Sequence, residues 1–376
     1  MNVPTFTPSR PAAASFAELF TPKIVTIVRE GYGFADLKAD AFAGLTVAVV
    51  ALPLCMAIAI ASGLGPERGL YTGIVGGFLI SLLGGSRFQI GGPAGAFIVL
   101  VAAIVERDGY AGLALATVFA GVILIAVGLL RFGTFIKYIP YPVMVGFTAG
   151  IAVIIIASQV HELLGLNVPR EPAAFLPKVA AIWDALGTIS LPTLGVALFS
   201  LATIVAVHRW RPAWPAFLMA IVAAAFLVVL LNLDVATLGS RFGPLPGNLP
   251  SPSLPTFSLE KLQSAAVNGG AIALLGAIES LLSAVVADGM TGRRHRSNCE
   301  LVAQGVANIG SAVLGGMPAT GLIARTATNI RAGARGPLSG MFHAIYLLMF
   351  MLRLEGWGGD GGGLALRDAA FGGSSG

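Results

Sequence analysis

Two charged residues stand inside long apolar segments of this sequence, and each could do ion chemistry there. Glu279 lies in the run AIALLGAIESLLSAVVAD, four residues before Ser283, so both fall on one face of a helix. A buried carboxyl group can hold a proton at neutral pH, and it could instead help to bind sodium. Arg325 follows the run GGMPATGLIA and would add positive potential beside a bound anion, or pair with Glu279. Because charges at membrane depth are costly, both residues indicate function.

A Gly/Pro-rich break occurs twice in the chain. Residues 91–95 read GGPAG, residues 315–321 read GGMPATG, and their prolines, Pro93 and Pro318, are 225 residues apart. A helix that begins at such a break exposes N–H groups with partial positive charge, which can hold an anion. Interrupted apolar segments at matching places in two halves are typical of secondary transporters.

The residues after each proline are small, which lets an anion approach the backbone closely. The alternative is that they only permit close packing of helices. We predict anion contacts at Ala94, Gly95 and Ala96 in the first half and at Gly321, Ile323, Ala324 and Arg325 in the second.

The composition is that of a membrane protein. Mean hydropathy is +0.85, and only 11% of residues are charged, against roughly 25% in soluble proteins. Apolar runs of about the ~20 residues that span a bilayer recur along the chain. We predict eleven spans, at 41–61, 69–85, 90–105, 111–130, 142–160, 191–208, 213–231, 268–288, 298–314, 318–331 and 337–352. The third and tenth are expected to be half-helices, and 173–187 an interfacial or extracytoplasmic helix.

The repeat also predicts the organisation of the chain. Spans one to seven form a first repeat at 41–231, and the 225-residue offset would place a second repeat at 266–456. Since the sequence ends at 376, we expect only a partial second repeat at 268–353, with three helices missing. The remaining segments are an N-terminal cytoplasmic or interfacial segment (1–40), an extracytoplasmic connection (232–267) and a disordered glycine-rich tail (354–376).

Charge sets the expected orientation. With the N-terminus in the cytoplasm, the inner connections hold ten basic residues and the longer outer connections hold six. This asymmetry favours a multi-pass protein of the inner (plasma) membrane with a cytoplasmic N-terminus. The GRRHR cluster at 292–296 is then an anchor at a helix end rather than a nucleic-acid site. We expect Cys55 and Cys299 to be reduced.

The other polar residues indicate neither an enzyme nor a cofactor. The four histidines are scattered, without metal-ligand spacing, and a structural role is favoured for all of them. The sequence shows no pairing of a nucleophile with a base, no phosphate-binding loop and no paired carboxylates. Asp288, Asn308 and Asn329 are weaker candidates, the first as a cap or loop contact and the asparagines as hydrogen-bonding residues between helices.

The chain resembles the SulP family of anion transporters. The resemblance is carried by PLCMAIAIASGLGPERGLY in the first span, QIGGPAGAF at the third, AIESLLSAVVAD in the eighth and GGMPATGLIARTATNIRAG around the tenth. It implies an all-α membrane fold of two inverted seven-helix repeats, as in uracil permease. Helices 1–4 and 8–11 would form a core, helices 5–7 and 12–14 a gate, and a soluble STAS domain usually follows. Helices 12–14 and that domain are not found in this sequence.

The resemblance also implies roles for individual residues. Leu54 and Ile58 would close the anion pocket from the first helix. Related bacterial transporters carry an acidic residue and a hydroxyl that serve cation coupling, at the positions of Glu279 and Ser283. Members are commonly dimeric, so a homodimer is among the implied partners, beside the anion, H+ or Na+, and the lipid bilayer.

The sequence therefore predicts secondary active transport of a small anion, coupled to H+ or Na+. Sulfate, bicarbonate and dicarboxylates all stay open as substrates. One alternative is a truncated membrane fragment that does not transport, because half of the gate is expected to be missing. A passive anion channel is a second, against which Glu279 argues. A nucleobase permease of the same fold is a third, and the QIGGPAG and ARTATN elements argue against it.

Overall fold

The structure is a computed structural model that describes residues 19–134, 141–168, 175–211, 216–236, 251–253 and 259–356. Its elements before the first gap are α1 (Lys23–Glu30), α2 (Phe34–Ala61), α3 (Pro66–Tyr71), a π-helix (Thr72–Gly76), α4 (Gly77–Leu83), β1 (Gly91–Pro93), a 3₁₀ turn (Gly95–Phe97) and α5 (Ile98–Leu129). Those that follow are α6 (Tyr141–Leu164), α7 (Phe175–Asp184), a 3₁₀ turn (Leu186–Thr188), α8 (Leu191–Trp210), α9 (Ala216–Leu230), α10 (Leu259–Thr291), α11 (Ser297–Val313), β2 (Ala319–Gly321), α12 (Ile323–Arg331) and α13 (Leu338–Gly356).

Four helical segments of the described residues are long and apolar enough to cross a membrane. They are Phe34–Ala61, Gly95–Leu129, Leu191–Trp210 and Leu262–Thr291. Half of the most apolar stretch of α2 is buried inside the protein, whereas none of that stretch of α8 is. Because the exposed side chains of α8 are mostly apolar, this helix is suited to apolar surroundings.

The two Gly/Pro breaks cross each other as a two-stranded antiparallel ribbon. Gly91 pairs with Gly321, and Pro93 pairs with Ala319. The amide of Leu322 extends the ladder by donating to the carbonyl of Ile90 at 2.9 Å. Because the strands are antiparallel, the helices that follow them leave the crossing in opposite directions.

This ribbon corrects two of the predicted helix starts. The third and tenth spans were expected to begin as helices at Pro93 and Pro318, but both breaks first run as strands. Helix α5 begins at Ile98, after a 3₁₀ turn, and α12 begins at Ile323. The backbone N–H and C=O groups around Pro93 and Pro318 pair across the crossing instead of within a helix. Each helix therefore begins a few residues after its proline.

Helix starts repeat at the offset that the prolines predicted. The first residues of α5 and α12 are 225 positions apart, and so are those of α2 and α10. The eighth span is longer than predicted, since α10 begins at Leu259 rather than at 268. The predicted third and fourth spans are two parts of α5, separated by a break at Gly109, whose φ is 68° and ψ −175°.

The packing brings the two repeats together around the crossing. Helix α5 packs on α10 and α11, α2 packs on α13, and α10 also contacts α12 and β2. Glycines permit the closest approaches: a Cβ added at Gly121 or Gly305 would lie 2.6 or 2.5 Å from the carbonyl oxygen of the other. Helices α6 to α9 pack chiefly on one another.

Several predicted segments lie partly or wholly outside the described residues. They are residues 1–18 of the N-terminal segment, more than half of the connection at 232–267 and the tail from 357 onward. The short helix expected at 173–187 is present as α7 (Phe175–Asp184).

Candidate functional site

The start of α12 supplies free backbone donors at the crossing. Leu322 is the N-cap and makes no side-chain capping bond, and the amide of Thr326 donates the first intrahelical bond, to the carbonyl of Leu322. The N–H groups of the first three helical residues, Ile323 to Arg325, therefore have no partner within their helix. Ala324 is exposed, so this positive helix end is open to a ligand.

The start of α5 faces the crossing from the other side. Ala94 is buried and precedes a 3₁₀ turn closed by the amide of Phe97 on the carbonyl of Ala94, at 3.1 Å. Gly95 and Ala96 are half-buried in that turn, and the turn leaves their N–H groups without an internal partner. The structure thus places Ala94, Gly95 and Ala96 on one side of the ribbon and Gly321, Ile323 and Ala324 on the other.

Arg325 is buried, with 4% of its surface exposed, and its guanidinium points into the protein. Its Nη1 donates to Sγ of Cys55 at 3.2 Å, and a Cβ added at Gly92 would lie 3.0 Å from the same nitrogen. Its Nε and Nη2 are buried and have no hydrogen-bond partner among the described residues. The guanidinium therefore brings a positive charge to the ribbon with no carboxylate beside it.

The anticipated ion pair between Arg325 and Glu279 does not form in the part of the chain that the structure describes. Glu279 lies on α10, and its Oε2 is buried without a hydrogen-bond partner there. Each of the two charges is thus left uncompensated by the other. An uncompensated buried charge is costly, so an ion bound beside each residue would lower that cost.

Ser283 connects α10 to the second half-helix. It is fully buried, and its Oγ donates to Oγ1 of Thr326 at 3.1 Å. The same Thr326 oxygen accepts the amide of Ile90, also at 3.1 Å. One hydroxyl chain therefore joins α10, α12 and the residue before β1, one helical turn from Glu279.

The two residues of α2 that the resemblance placed at the pocket differ in their surroundings. Ile58 is 7% exposed and belongs to the apolar cluster that contains Ala94 and Phe97. Leu54 is 42% exposed. Cys55, next to Leu54, turns inward to Arg325, and α2 contacts both β1 and α12.

Polar side chains hold the ribbon in place from behind. Asn308 donates to the carbonyl of Ala319 at 2.8 Å and accepts its amide at 3.0 Å. Asn329 donates to the carbonyl of Phe88 at 2.9 Å and to Ser339. The predicted bonding between helices is confirmed for Asn329, whose partner Ser339 lies on α13, whereas Asn308 bonds to strand β2 and to its own helix. Asp288 makes the expected loop contact, accepting from the amide and Nδ1 of His295.

Four residues near the ribbon were missed as site candidates. Thr326 and Cys55 touch the predicted residues directly, as described above. Gln89 is 3% exposed, both of its amide atoms lack a partner among the described residues, and a Cβ on Gly321 would collide with it. His343 is fully buried against Gly44 and Gly77, with neither ring nitrogen bonded in the described part. A lone polar residue in an apolar span was the available signal for His343.

The fold and the ribbon together define a membrane-transporter architecture with two broken helices at its centre. A family model described as the sulfate permease family matches residues 37–357. The chain belongs to this sulfate permease family, SulP, whose members are anion transporters and not enzymes.

Relatives are named for anion transport. The Bacillus subtilis protein that carries the name "Putative sulfate transporter YvdB" is 43% identical over 324 residues, 86% of this chain and 61% of that protein. The bicarbonate transporter BicA of Synechocystis is 34% identical over 333 residues, 85% of this chain and 57% of that protein. The chain thus spans about three fifths of the length of these curated relatives.

Solved structures show the same fold. The transmembrane domain of a cyanobacterial bicarbonate transporter BicA matches with a TM-score of 0.77 and 32% identity, covering 90% of this chain and 86% of that one. The murine Solute Carrier 26 family member A9 anion transporter, in the inward-facing state, matches with a TM-score of 0.80 over 98% of this chain and 64% of that one. At 18% identity, the second likeness concerns the fold alone.

Proposed function

We propose that this protein carries out secondary active transport of a small anion, with the anion held between the starts of α5 and α12. The observation that carries the proposal is the strand crossing, which faces two helix N-termini toward each other beside the unpaired guanidinium of Arg325. Free N–H groups and a buried cation both favour a negative charge at that point. Relatives named for sulfate and for bicarbonate transport support an oxyanion or a carboxylate as the substrate class.

Cation coupling is assigned to the segment of α10 that carries Glu279 and Ser283. A proton on Glu279, or a sodium ion bound by its carboxylate and neighbouring hydroxyls, would remove the cost of the unpaired charge. Thr326 joins this set because it bonds to Ser283 while belonging to the helix that contacts the anion. The cation and the anion would then act on the same helix, α12, and binding of one would favour the other.

Anion binding is tested first on the purified chain, by calorimetry with sulfate, bicarbonate and a C4-dicarboxylate. A Gly321→Val variant should bind at least about tenfold more weakly, because its side chain would collide with Gln89 and overpacking costs ~1–3 kcal/mol. Gly270→Val on α10, where an added Cβ meets no atom within 4 Å, is the matched control. Equal binding by both variants, or no binding of any of the anions by the wild type, would contradict the site.

Coupling is tested by uptake into proteoliposomes under an imposed proton or sodium gradient. The Glu279→Gln variant should still exchange anion but lose gradient-driven accumulation. If that variant accumulates anion like the wild type, Glu279 does not carry the cation. Anion flux that no gradient drives would favour the passive channel, and binding without any flux would favour the non-transporting alternative.

We further propose that the N-terminus and the loop between α10 and α11 face the cytoplasm, because basic residues concentrate in that set of connections. A single cysteine introduced at Arg294, which is exposed, should react with an impermeant thiol reagent only in inverted vesicles. Labelling from outside intact cells would reverse the orientation.

A further inference from the structure

A charged pocket lies where α1 meets the loops at the N-terminal end of α2. Its volume is about 350 Å³, and none of the predicted anion contacts at the ribbon lines it. It is therefore a separate site. Three separate loops each contribute one arginine to its wall, namely Arg87 before β1, Arg293 after α10 and Arg335 before α13. We call it the arginine pocket.

Two carboxylates already occupy part of the wall. Glu30, the last residue of α1, accepts from Arg87 with both oxygens and lies 3.9 Å from Nη1 of Arg293. Asp36, in the first turn of α2, accepts from Nη1 of Arg335 at 3.1 Å. Among the side chains that line the pocket, three guanidinium groups face two carboxylates, so the lining itself has one excess positive charge.

The arginines differ in how firmly they are held. Arg87 is 9% exposed and is held by both oxygens of Glu30. The side chains of Arg293 and Arg335 are 57% and 63% exposed. These two can swing from their carboxylates toward an incoming anion, because exposed ion pairs are worth little.

The surroundings of the pocket are apolar on the outside. Phe34, the first residue of α2, is 81% exposed, and Val28 of α1 is 66% exposed. Along the chain, Val28 comes three residues before Gly31 and Phe34 two residues after Tyr32, and Gly31 and Tyr32 both line the pocket. Because α2 is long enough to cross a membrane from Phe34 onward, the pocket sits at the depth where a bilayer changes from hydrocarbon to headgroups.

We propose that the arginine pocket binds the phosphate group of an anionic phospholipid. The guanidinium groups of Arg293 and Arg335 donate to the phosphate oxygens, and the excess charge of the wall selects an anionic headgroup over a zwitterionic one. The acyl chains run along Phe34 and Val28. The bound lipid would then tie α1, the α10–α11 loop and the α12–α13 loop to one face of the membrane. The proposal concerns a site separate from the anion at the ribbon and stands or falls independently of transport.

Native mass spectrometry of the purified chain tests this proposal without any transport assay. The chain is released from detergent with phosphatidylglycerol or with phosphatidylcholine of the same acyl chains. Wild type should retain one phosphatidylglycerol about tenfold more strongly than phosphatidylcholine, because each arginine near the membrane surface attracts an anionic headgroup. An Arg293→Gln/Arg335→Gln variant should lose this preference. Its folding is not at risk, because the backbone amide of Arg335, rather than its side chain, bonds to the buried Asp40.

An Arg209→Gln/Arg331→Gln variant is the matched control, since it removes the same charge from exposed arginines outside the pocket. Equal loss of phosphatidylglycerol in both double variants would overturn the proposal, because general charge would explain the binding. A parallel thermal-shift series with inorganic phosphate separates the two sources of the group. Stabilisation by phosphate that requires Arg293 and Arg335, without any arginine-dependent lipid retention, would make free phosphate the ligand and the lipid assignment wrong.

Discussion

The half-helices that start at Ile98 and Ile323 share a backbone plan but differ in the chemistry of one face. The positions 225 residues before Arg325, Thr326 and Asn329 are Leu100, Val101 and Ile104. Val101 and Ile104 are buried in the main apolar cluster, whereas Thr326 and Asn329 are equally buried but bonded to Ile90, Ser283, Phe88 and Ser339. The repeat thus supplies two equivalent helix starts, and only the second carries a charge and a polar network.

The two halves therefore fix their helices by different interactions. The first half anchors its helix by apolar packing, which is strong but without direction. The second half fixes its helix with directional hydrogen bonds to the preceding strand and to α10. Any change that makes the second face resemble the first should therefore reduce function and stability in a defined order.

The largest effect is expected from Arg325→Leu, which gives the second half the apolar residue type that the first has at Leu100. Anion affinity should fall by roughly 100-fold, since a hydrogen bond to a charged group contributes about 1.5–3 kcal/mol. Calorimetric titration with sulfate or bicarbonate measures it. Arg331→Gln, at the exposed end of the same helix, should bind like wild type. An unchanged affinity in the Arg325 variant would show that the helix starts alone hold the anion.

Asn329→Ile copies the first half at Ile104. It removes the partner of the Phe88 carbonyl, so the free energy of unfolding should fall by about 2 kcal/mol, the typical cost of a buried unsatisfied group. The change is read from thermal or denaturant unfolding in detergent. Thr328→Val, one residue earlier at a half-buried position whose hydroxyl donates to the Ala324 carbonyl of the same helix, should stay within roughly 0.5 kcal/mol of wild type. Equal stability of the two variants would contradict the anchoring role of Asn329.

A double-mutant cycle with Ser283→Ala and Thr326→Val tests the bond between α10 and α12. The two substitutions should show a coupling energy of about 1 kcal/mol in unfolding, the usual net contribution of a hydrogen bond. Strictly additive effects would mean that the hydroxyls do not interact. If cation and anion binding are linked through this bond, the single variants should also weaken the dependence of anion affinity on sodium or pH by a few fold.

The smallest effect concerns α1, which lies outside the repeats. Arg87 holds the pKa of Glu30 below its ordinary value of 4.5 by a side-chain hydrogen bond. Because the folded pKa is depressed, this contribution is present above pH 4.5 and is lost as the pH falls through the lowered value. The protection of the Lys23–Glu30 amides, which is the ratio of the intrinsic to the observed exchange rate at each pH, should therefore fall below about pH 4. Glu30→Gln should already show lower protection at pH 7 and no further loss below pH 4. A variant that still loses protection there would show that another group is responsible.

The pattern of the sequence was sufficient for the large features. Apolar runs predicted helices, and the 225-residue offset between the two prolines recurs between the starts of α2 and α10 and between those of α5 and α12. The sequence could indicate this much because the apolar pattern of a span and the presence of a Gly/Pro break are local properties. The helix starts at the two prolines were wrong, because backbone pairing across the ribbon involves residues more than 200 positions apart. The start of span eight was also wrong, at 268 rather than at Leu259.

The identity of the contacts around the site needed the tertiary structure. The sequence singled out Arg325 and Glu279 as charges in apolar surroundings, which burial cost alone makes informative. It did not indicate that they would fail to pair, that Arg325 would turn to Cys55, or that Thr326 would join Ser283 to Ile90. The sequence by itself determined a chain with membrane-spanning helices and predicted two helix starts as anion sites. Only the crossing of the two strands decided which side chains meet there, because that meeting depends on register and packing between distant segments rather than on residue type.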